Sequence, residues 1–546
     1  MSVPPNNLNG SFESTGVGRG LILFEDASLL VVHKPAGWNT HAPAPHAGEG
    51  VYDWLRHRAP RWATLAILHR LDKETSGVLV FGKSSAANRS LTEQFTQRTV
   101  TKKYVLLTDR PVTRSAFTAK SSLIRAGEKY VSRPPHAGGE PAETHFRVLE
   151  SVNGRTRVEA IPVTGRTHQI RVHAAEHGLP ILGDRLYGGT PSDRLCLHAQ
   201  EISLRHPLNG AAMTWVAPVD FSGEARFALR DAAHAADDTD SYRLVHGAAD
   251  GWPGWYVDRL GEFLLSQGEA PLTTAQLQGL DAWRARLNLR GGYHKTLDRR
   301  VRGSAAAPPS PKPCLGEVAA DSFSIRENGL RFEINFTEGY SVGLFLDQRD
   351  NRRRFLMNHV AAGFPLRPAG LRGAEVLNTF AYTCGFSVAA ARAGARVTSL
   401  DLSKKYLEWG RRNFTLNELA PADHDFIFGD VFDWLARLAK KGRRFDVIVL
   451  DPPTFSTSRA HGEFRAERDY GELATLALKL LAPDGVLFAS TNAARLAPEK
   501  FLETLSTSVA GARRNILQSH YVPQPPDFPV SKAEPAYLKS LWARIA

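Results

Sequence analysis

Asp72 lies in the run Ile67-Leu68-His69-Arg70-Leu71-Asp72-Lys73-Glu74-Thr75-Ser76-Gly77-Val78-Leu79-Val80-Phe81-Gly82, a polar turn between two apolar stretches. The pattern predicts strand, turn, strand. One carboxylate is thus held on a loop, where a scaffold fixes it and a substrate can reach it. A carboxylate so placed can capture or steady an electron-poor carbon, and it needs a cation partner to stay ionised in a water-poor pocket. A second set of acids occupies the other half of the chain. Asp401 ends Arg396-Val397-Thr398-Ser399-Leu400, Asp430 follows Phe426-Ile427-Phe428-Gly429, and Asp451 ends Phe445-Asp446-Val447-Ile448-Val449-Leu450 before Pro452-Pro453. Taken singly, each reads equally well as a strand-end turn residue.

The elements that position these groups differ between the halves. From about residue 325 the apolar pattern becomes strands alternating with helical stretches, which predicts an open, mostly parallel sheet flanked by helices. Such sheets bind ligands at their carboxyl edge. Glu375-Val376-Leu377-Asn378-Thr379-Phe380-Ala381-Tyr382-Thr383-Cys384-Gly385 reads as a strand entering a tight turn and then a helix, a geometry that lets backbone amides approach a ligand. Asp401, about twenty residues later, is placed to accept hydrogen bonds from a ribose diol; Asp430 could meet an adenine amine.

Around Asp72 the matches run in order: Val31-Val32-His33-Lys34-Pro35-Ala36-Gly37, then Lys102-Lys103-Tyr104, then Gly165-Arg166-Thr167-His168-Gln169-Ile170-Arg171, with Gly183-Asp184 and Tyr187-Gly188 following. This order resembles the RluA-type pseudouridine synthases. The resemblance implies that Asp72 is the nucleophile or electrostatic stabiliser and that Arg171 pairs with it, Arg166 being the alternative. It also implies that Tyr104 packs against the uracil and acts as a base at the sugar, and that Arg70 fills the space left by the flipped nucleotide. A tyrosine of ordinary pKa is a poor base, so that role is inherited from the family. About twenty polar residues precede the first strand, too few for an amino-terminal S4 module.

The carboxyl half is similar to class I S-adenosylmethionine-dependent methyltransferases of the RlmI and RlmK rRNA type. The resemblance implies a cofactor site built from Asn378, Phe380, Tyr382, Asp401 and Asp430, with Asp347 and Arg349 of the Gly343–Arg352 segment beside the cofactor and Asp451 at the reacting end. Cys384 stands where the family usually has Gly, and crowding of the turn at the methionine end is expected. Methylating a pyrimidine at C5 requires a nucleophile, normally a thiolate, at C6. The three cysteines, Cys196, Cys314 and Cys384, lie elsewhere, and the matching late strand reads Leu487-Phe488-Ala489-Ser490-Thr491-Asn492. Guanine N7, which already has a lone pair and needs mainly alignment, is therefore the expected target. The alternatives are 5-methylcytosine formation and a carboxyl half that binds RNA without chemistry.

The expected fold is multidomain α/β and α+β. A flexible tail (1–19) precedes a pseudouridine synthase domain with a mixed antiparallel sheet (20–230). An acidic, small-residue linker follows (231–241; an alanine-rich helix is the competing reading), then a small α/β RNA-binding-type module with a mobile Pro-rich loop at 305–313 (242–324) and a Rossmann-like methyltransferase (325–546). At 546 residues the chain is long enough for two to four domains. Its net charge of +12 suits a polyanionic partner. The expected partner is RNA, large-subunit rRNA first. No signal peptide, no bilayer-length apolar run and no zinc spacing is found; three cysteines suit a reducing cytoplasm. S-adenosylmethionine is the expected cofactor of the carboxyl half; none is expected for the synthase half, and no metal for either.

Overall fold

Period-two alternation decides how the first half packs. In the strand Leu29–Lys34, Leu30 and Val32 face a core with Trp54, Trp62 and Leu79, whereas Leu29 and Val31 face a second core with Ala87, Leu91 and Trp215. The strand is buried on both faces, which is why Leu29–Val32 is an unbroken apolar run. This is a computed structural model, describing residues 17–18, 20–134, 136, 138–297, 310–338, 341–458 and 462–546. Leu29–Lys34 belongs to an eleven-stranded, mostly antiparallel sheet. At its centre Ser76–Gly82 runs parallel to Leu197–Arg205, which pairs antiparallel with Thr101–Thr108. The carboxyl end of Asp72's turn and Tyr104 are thereby carried on the two strands that flank Leu197–Arg205.

A five-stranded sheet follows, with Ser241–His246, Trp255–Leu260 and Phe263–Gly268 antiparallel and one parallel step to Gly291–Thr296 across the helix Thr274–Arg286. Its last strand, Lys312–Gly316, includes Lys312 and Pro313. The end of the expected mobile loop is therefore an edge strand, where a proline costs no ladder bond; positions 305–309 lie outside the described residues. The third sheet runs in the order Asp425–Phe428, Arg396–Asp401, Glu375–Thr379, Phe445–Leu450, Leu481–Thr491, Lys539–Ile545, Ile516–Val522. Its first five strands are parallel. The order reverses between Glu375–Thr379 and Phe445–Leu450, which opens a ligand crevice at their carboxyl ends.

Where they are described, residues 17–18 of the expected tail and the expected linker are packed. Val17 is buried and the Gly18 amide donates to the Ala232 carbonyl. The stretch at 231–241 begins inside the helix Ala225–Ala233, whose Ala232 and Ala233 join the synthase core, and Asp240 takes two bonds from Arg326. Small side chains here permit close packing against backbone rather than freedom. Asp527 ties the junction together. It accepts a bidentate pair from Arg349 at 3.0 and 2.5 Å and the Arg243 amide at 3.0 Å, while its carbonyl accepts from Arg230. Arg349 and Asp527 are both fully buried, and their mutual field with these bonds holds the Asp527 carboxyl well below its usual range despite burial. Asp527→Asn would leave the buried Arg349 guanidinium without its bidentate counter-charge, with only Asp350 at 3.8 Å beside it. We expect a loss of about 3–5 kcal/mol, read as an earlier denaturation midpoint of the carboxyl half.

Candidate active sites

The turn carrying Asp72 is clamped on both sides. The Leu71 amide donates to Thr40 Oγ1, and the Thr40 hydroxyl donates back to the Leu71 carbonyl. The Lys73 carbonyl accepts from the Gly37 amide and from Lys34 Nζ, which also caps the Pro35 and Trp38 carbonyls. Lys34 is fully buried, which lowers its pKa to about 7. His69 is a fastener: its Nε2 accepts the Val80 amide, and burial lowers its pKa to about 3, keeping the ring a neutral acceptor.

Asp72 opens onto a cleft of about 1050 Å³ lined by Arg70, Tyr104, Arg166, His168 and Arg171 among others. Arg171 Nη1 stands 3.6 Å from its Oδ2 and His168 Nε2 3.9 Å. The stronger partner of Arg171 is Asp184, which accepts from Nε and Nη2 at 2.7 and 2.8 Å. Asp184 thus aims the guanidinium, and Tyr187 supports it, with its ring 5.0 Å away and its hydroxyl bonded to His168 Nδ1. Arg166 instead reaches the Pro141 carbonyl and Glu140. Arg70 is exposed at the cleft. Tyr104 lies between the cleft and two cores; burial first, and Asp72 second, raise its pKa above the ordinary value. Its phenol is thereby a hydrogen-bond donor at neutral pH. Asp184 lay inside a recognised motif, yet only the fold reveals that it shares Arg171 with Asp72. Asp184→Asn is expected to lower pseudouridine formation by about tenfold to a hundredfold, since misplacement by an ångström costs about that much, and Arg171→Lys, which lacks the planar fork that Asp184 holds, is expected to lower it likewise.

The second cleft, of about 400 Å³, lies at the sheet's switch point and is lined by Phe345, Asp347, Phe380, Tyr382, Asp401, Asp430, Phe432, Asp451 and Asn492, with others. Asp401 accepts the Tyr382 amide and the Ser403 amide, both at 2.8 Å. A carboxylate has about four acceptor positions, so two remain. Asp430 caps the helix Val431–Lys440 through the Phe432 and Asp433 amides. Asp451 accepts Gln348 Nε2 on both oxygens at 3.2 Å. Burial and the nearby Asp347 push its pKa up to about 7. Asp347 in turn accepts the Tyr537 hydroxyl at 2.9 Å.

Three expectations change here. Arg349 does not line the cleft; it is turned into the core against Asp527. Asn378 is buried behind the turn, donating to Ser387 Oγ. Cys384 does not crowd the turn. It adopts φ 64° as the cap of the helix Gly385–Arg392, and its thiol sits over Gly410, where an added Cβ would come within 2.3 Å of Sγ. Gly410 supplies the room. Gln348 and Tyr537, which hold the acids in place, were not singled out in the sequence.

Two family profiles match the chain: RNA pseudouridylate synthase over residues 28–176 and S-adenosylmethionine-dependent methyltransferase over 269–544. The ribosomal RNA large subunit methyltransferase of Deinococcus radiodurans is 37% identical over 338 residues, covering 61% of this chain and 79% of that protein. Ribosomal RNA large subunit methyltransferase I of Salmonella arizonae is 31% identical over 344 residues, covering 60% and 80%. Among solved structures, human RNA pseudouridylate synthase domain containing 4 is 28% identical, covering 38% of this chain and 92% of its own, with a TM-score of 0.31.

Proposed function

Because this chain belongs to the S-adenosylmethionine-dependent methyltransferase family and carries an RNA pseudouridylate synthase domain ahead of it, we propose that one polypeptide makes two modifications in large-subunit ribosomal RNA, isomerising a uridine and methylating guanine at N7. The RNA assignment rests on the substrate named for the relatives and on the net charge of +12. No helix among the described residues is long and apolar enough to cross a membrane, and we assign the protein to the cytoplasm, where ribosomal RNA is made.

In the synthase site, Asp72 meets the sugar carbon as its bond to the base breaks, with the Arg171 guanidinium 3.6 Å from the carboxylate as its counter-charge. The target must leave its stack to reach this cleft; Arg70, exposed at the rim, is suited to the vacated space. Tyr104 offers a ring for the uracil to pack against and a hydroxyl to donate.

The second cleft fits S-adenosylmethionine: Asp401 keeps two acceptor positions for a ribose diol, Asp430 stands at the helix end for an adenine amine, and Phe380, Tyr382 and Phe432 supply apolar walls. When bound, the cofactor supplies an electrophilic methyl group. Asp347 and Asp451 hold the reacting end, and Gln348 fixes Asp451.

The observation that carries the N7 assignment is that none of Cys196, Cys314 and Cys384 lines this cleft. Attack at a pyrimidine C5 would therefore lack its thiolate. The test is nucleoside mass spectrometry of unmodified ribosomal RNA after incubation with the protein and S-adenosylmethionine. 7-methylguanosine is expected, and 5-methylcytidine in its place would overturn the assignment.

A further inference from the structure

Glu49, His57 and His520 come together where the two catalytic halves meet. Glu49 precedes the helix Val51–Arg58, His57 lies in its last turn, and His520 is on the edge strand Ile516–Val522 of the carboxyl-terminal sheet. One carboxylate oxygen and one ring nitrogen from each histidine all lie within 4.8 Å of one another. Glu49 Oε1 is 2.5 Å from His57 Nδ1, and the two imidazole centroids are 4.1 Å apart.

His520 Nε2 is shielded from solvent and has no hydrogen-bond partner among the described residues. Leaving such an atom unpaired is costly, and a bound ion would relieve it. A void of about 10 Å³, bordered by Glu49, His57, Arg354 and His359, adjoins the group, room for roughly one water. Two imidazoles and a carboxylate with space for a water form a donor set suited to zinc, whose ligands at about 2.0–2.2 Å stand roughly 3.3 Å apart in a tetrahedral shell. The observed atoms bracket that spacing, from 2.5 Å between Glu49 and His57 to within 4.8 Å for the whole set. On the same void Glu49 and Asp350 face the guanidinium groups of Arg58, Arg353 and Arg354.

We propose that Glu49, His57 and His520 bind one divalent transition-metal ion of the zinc class, which links the synthase half to the methyltransferase half. The helix Val51–Arg58 already meets the helix Arg349–Met357 through Arg58 and Trp54, both bonded to Asp350. The ion adds a second tie across the same joint, and it binds the assembled form alone, because His520 is supplied by the other half.

The experiment uses the full chain, freed of tags and stripped with chelator, titrated with Zn²⁺ by calorimetry and with Co²⁺ by visible absorption. One equivalent is expected, with d–d bands for Co²⁺ and a raised thermal midpoint. His520→Ala and Glu49→Gln should each weaken binding at least tenfold, whereas His46→Ala, removing a half-buried histidine that pairs with Glu499, should leave it unchanged. Far-ultraviolet circular dichroism checks folding, and His520→Gln replaces the alanine variant if that fails to fold. Absence of one-to-one binding, binding that survives both substitutions, or binding lost in His46→Ala would overturn the proposal.

Discussion

Asp72→Asn is expected to remove pseudouridine formation by at least about a thousandfold, roughly 4 kcal/mol of barrier, with methylation retained. The amide keeps the size of the carboxylate but neither its charge nor its nucleophilicity. The clamps from Thr40, Gly37 and Lys34 act on the flanking backbone of Leu71 and Lys73, so the loop should keep its shape and the loss should be chemical. Single-turnover rates on a uridine-containing transcript check this, with a melting curve to show that the fold is unchanged. Retention of more than a tenth of the rate would mean that the cleft works by some group other than Asp72.

Asp451→Ala is expected to lower methyl transfer by about a hundredfold to a thousandfold while pseudouridine formation continues. The substitution removes the carboxylate that Gln348 holds from both oxygens, and preorganised groups of this kind contribute about that much. The pH dependence gives an independent reading. A carboxyl with an ordinary pKa near 3.9 is ionised throughout the neutral range, but burial and Asp347 raise Asp451 to about 7. Methyl transfer that uses the carboxylate should therefore rise as pH increases through about 7, and Asp451→Asn should abolish that step. The same raised value means that the fold favours the protonated acid, so this group's contribution to stability is full below about pH 4, is lost as pH rises from there to about 7, and is level above that. A rate–pH profile of wild type and Asp451→Asn distinguishes this from a titration elsewhere, which would persist in the variant.

How far the sequence could be read depended on whether a residue's role was local. The places of Asp72 and Asp401 were legible because strands and turns are written in adjacent residues: Asp72 lies in the turn between Ala66–Ile67 and Ser76–Gly82, and Asp401 is the last residue of its strand. Arg349 was not: an arginine at the start of a helix can face cleft or core, and its partner Asp527 is 178 residues away. Cys384 shows the same limit. A missing glycine is visible in sequence, whereas the space opposite it, made by Gly410, is tertiary. The 231–241 stretch misled because small and acidic residues signal a linker only when nothing packs on them. Here Arg326 and the synthase core do.

The central claim, two independent active sites in one chain, is tested most directly by nucleoside mass spectrometry on unmodified ribosomal RNA. The RNA is treated with S-adenosylmethionine and wild type, Asp72→Ala or Asp451→Ala. The account predicts pseudouridine lost only with the first substitution and the methylated guanosine lost only with the second. Loss of both modifications from either well-folded variant, or a wild-type protein that leaves no methylated base, would contradict it.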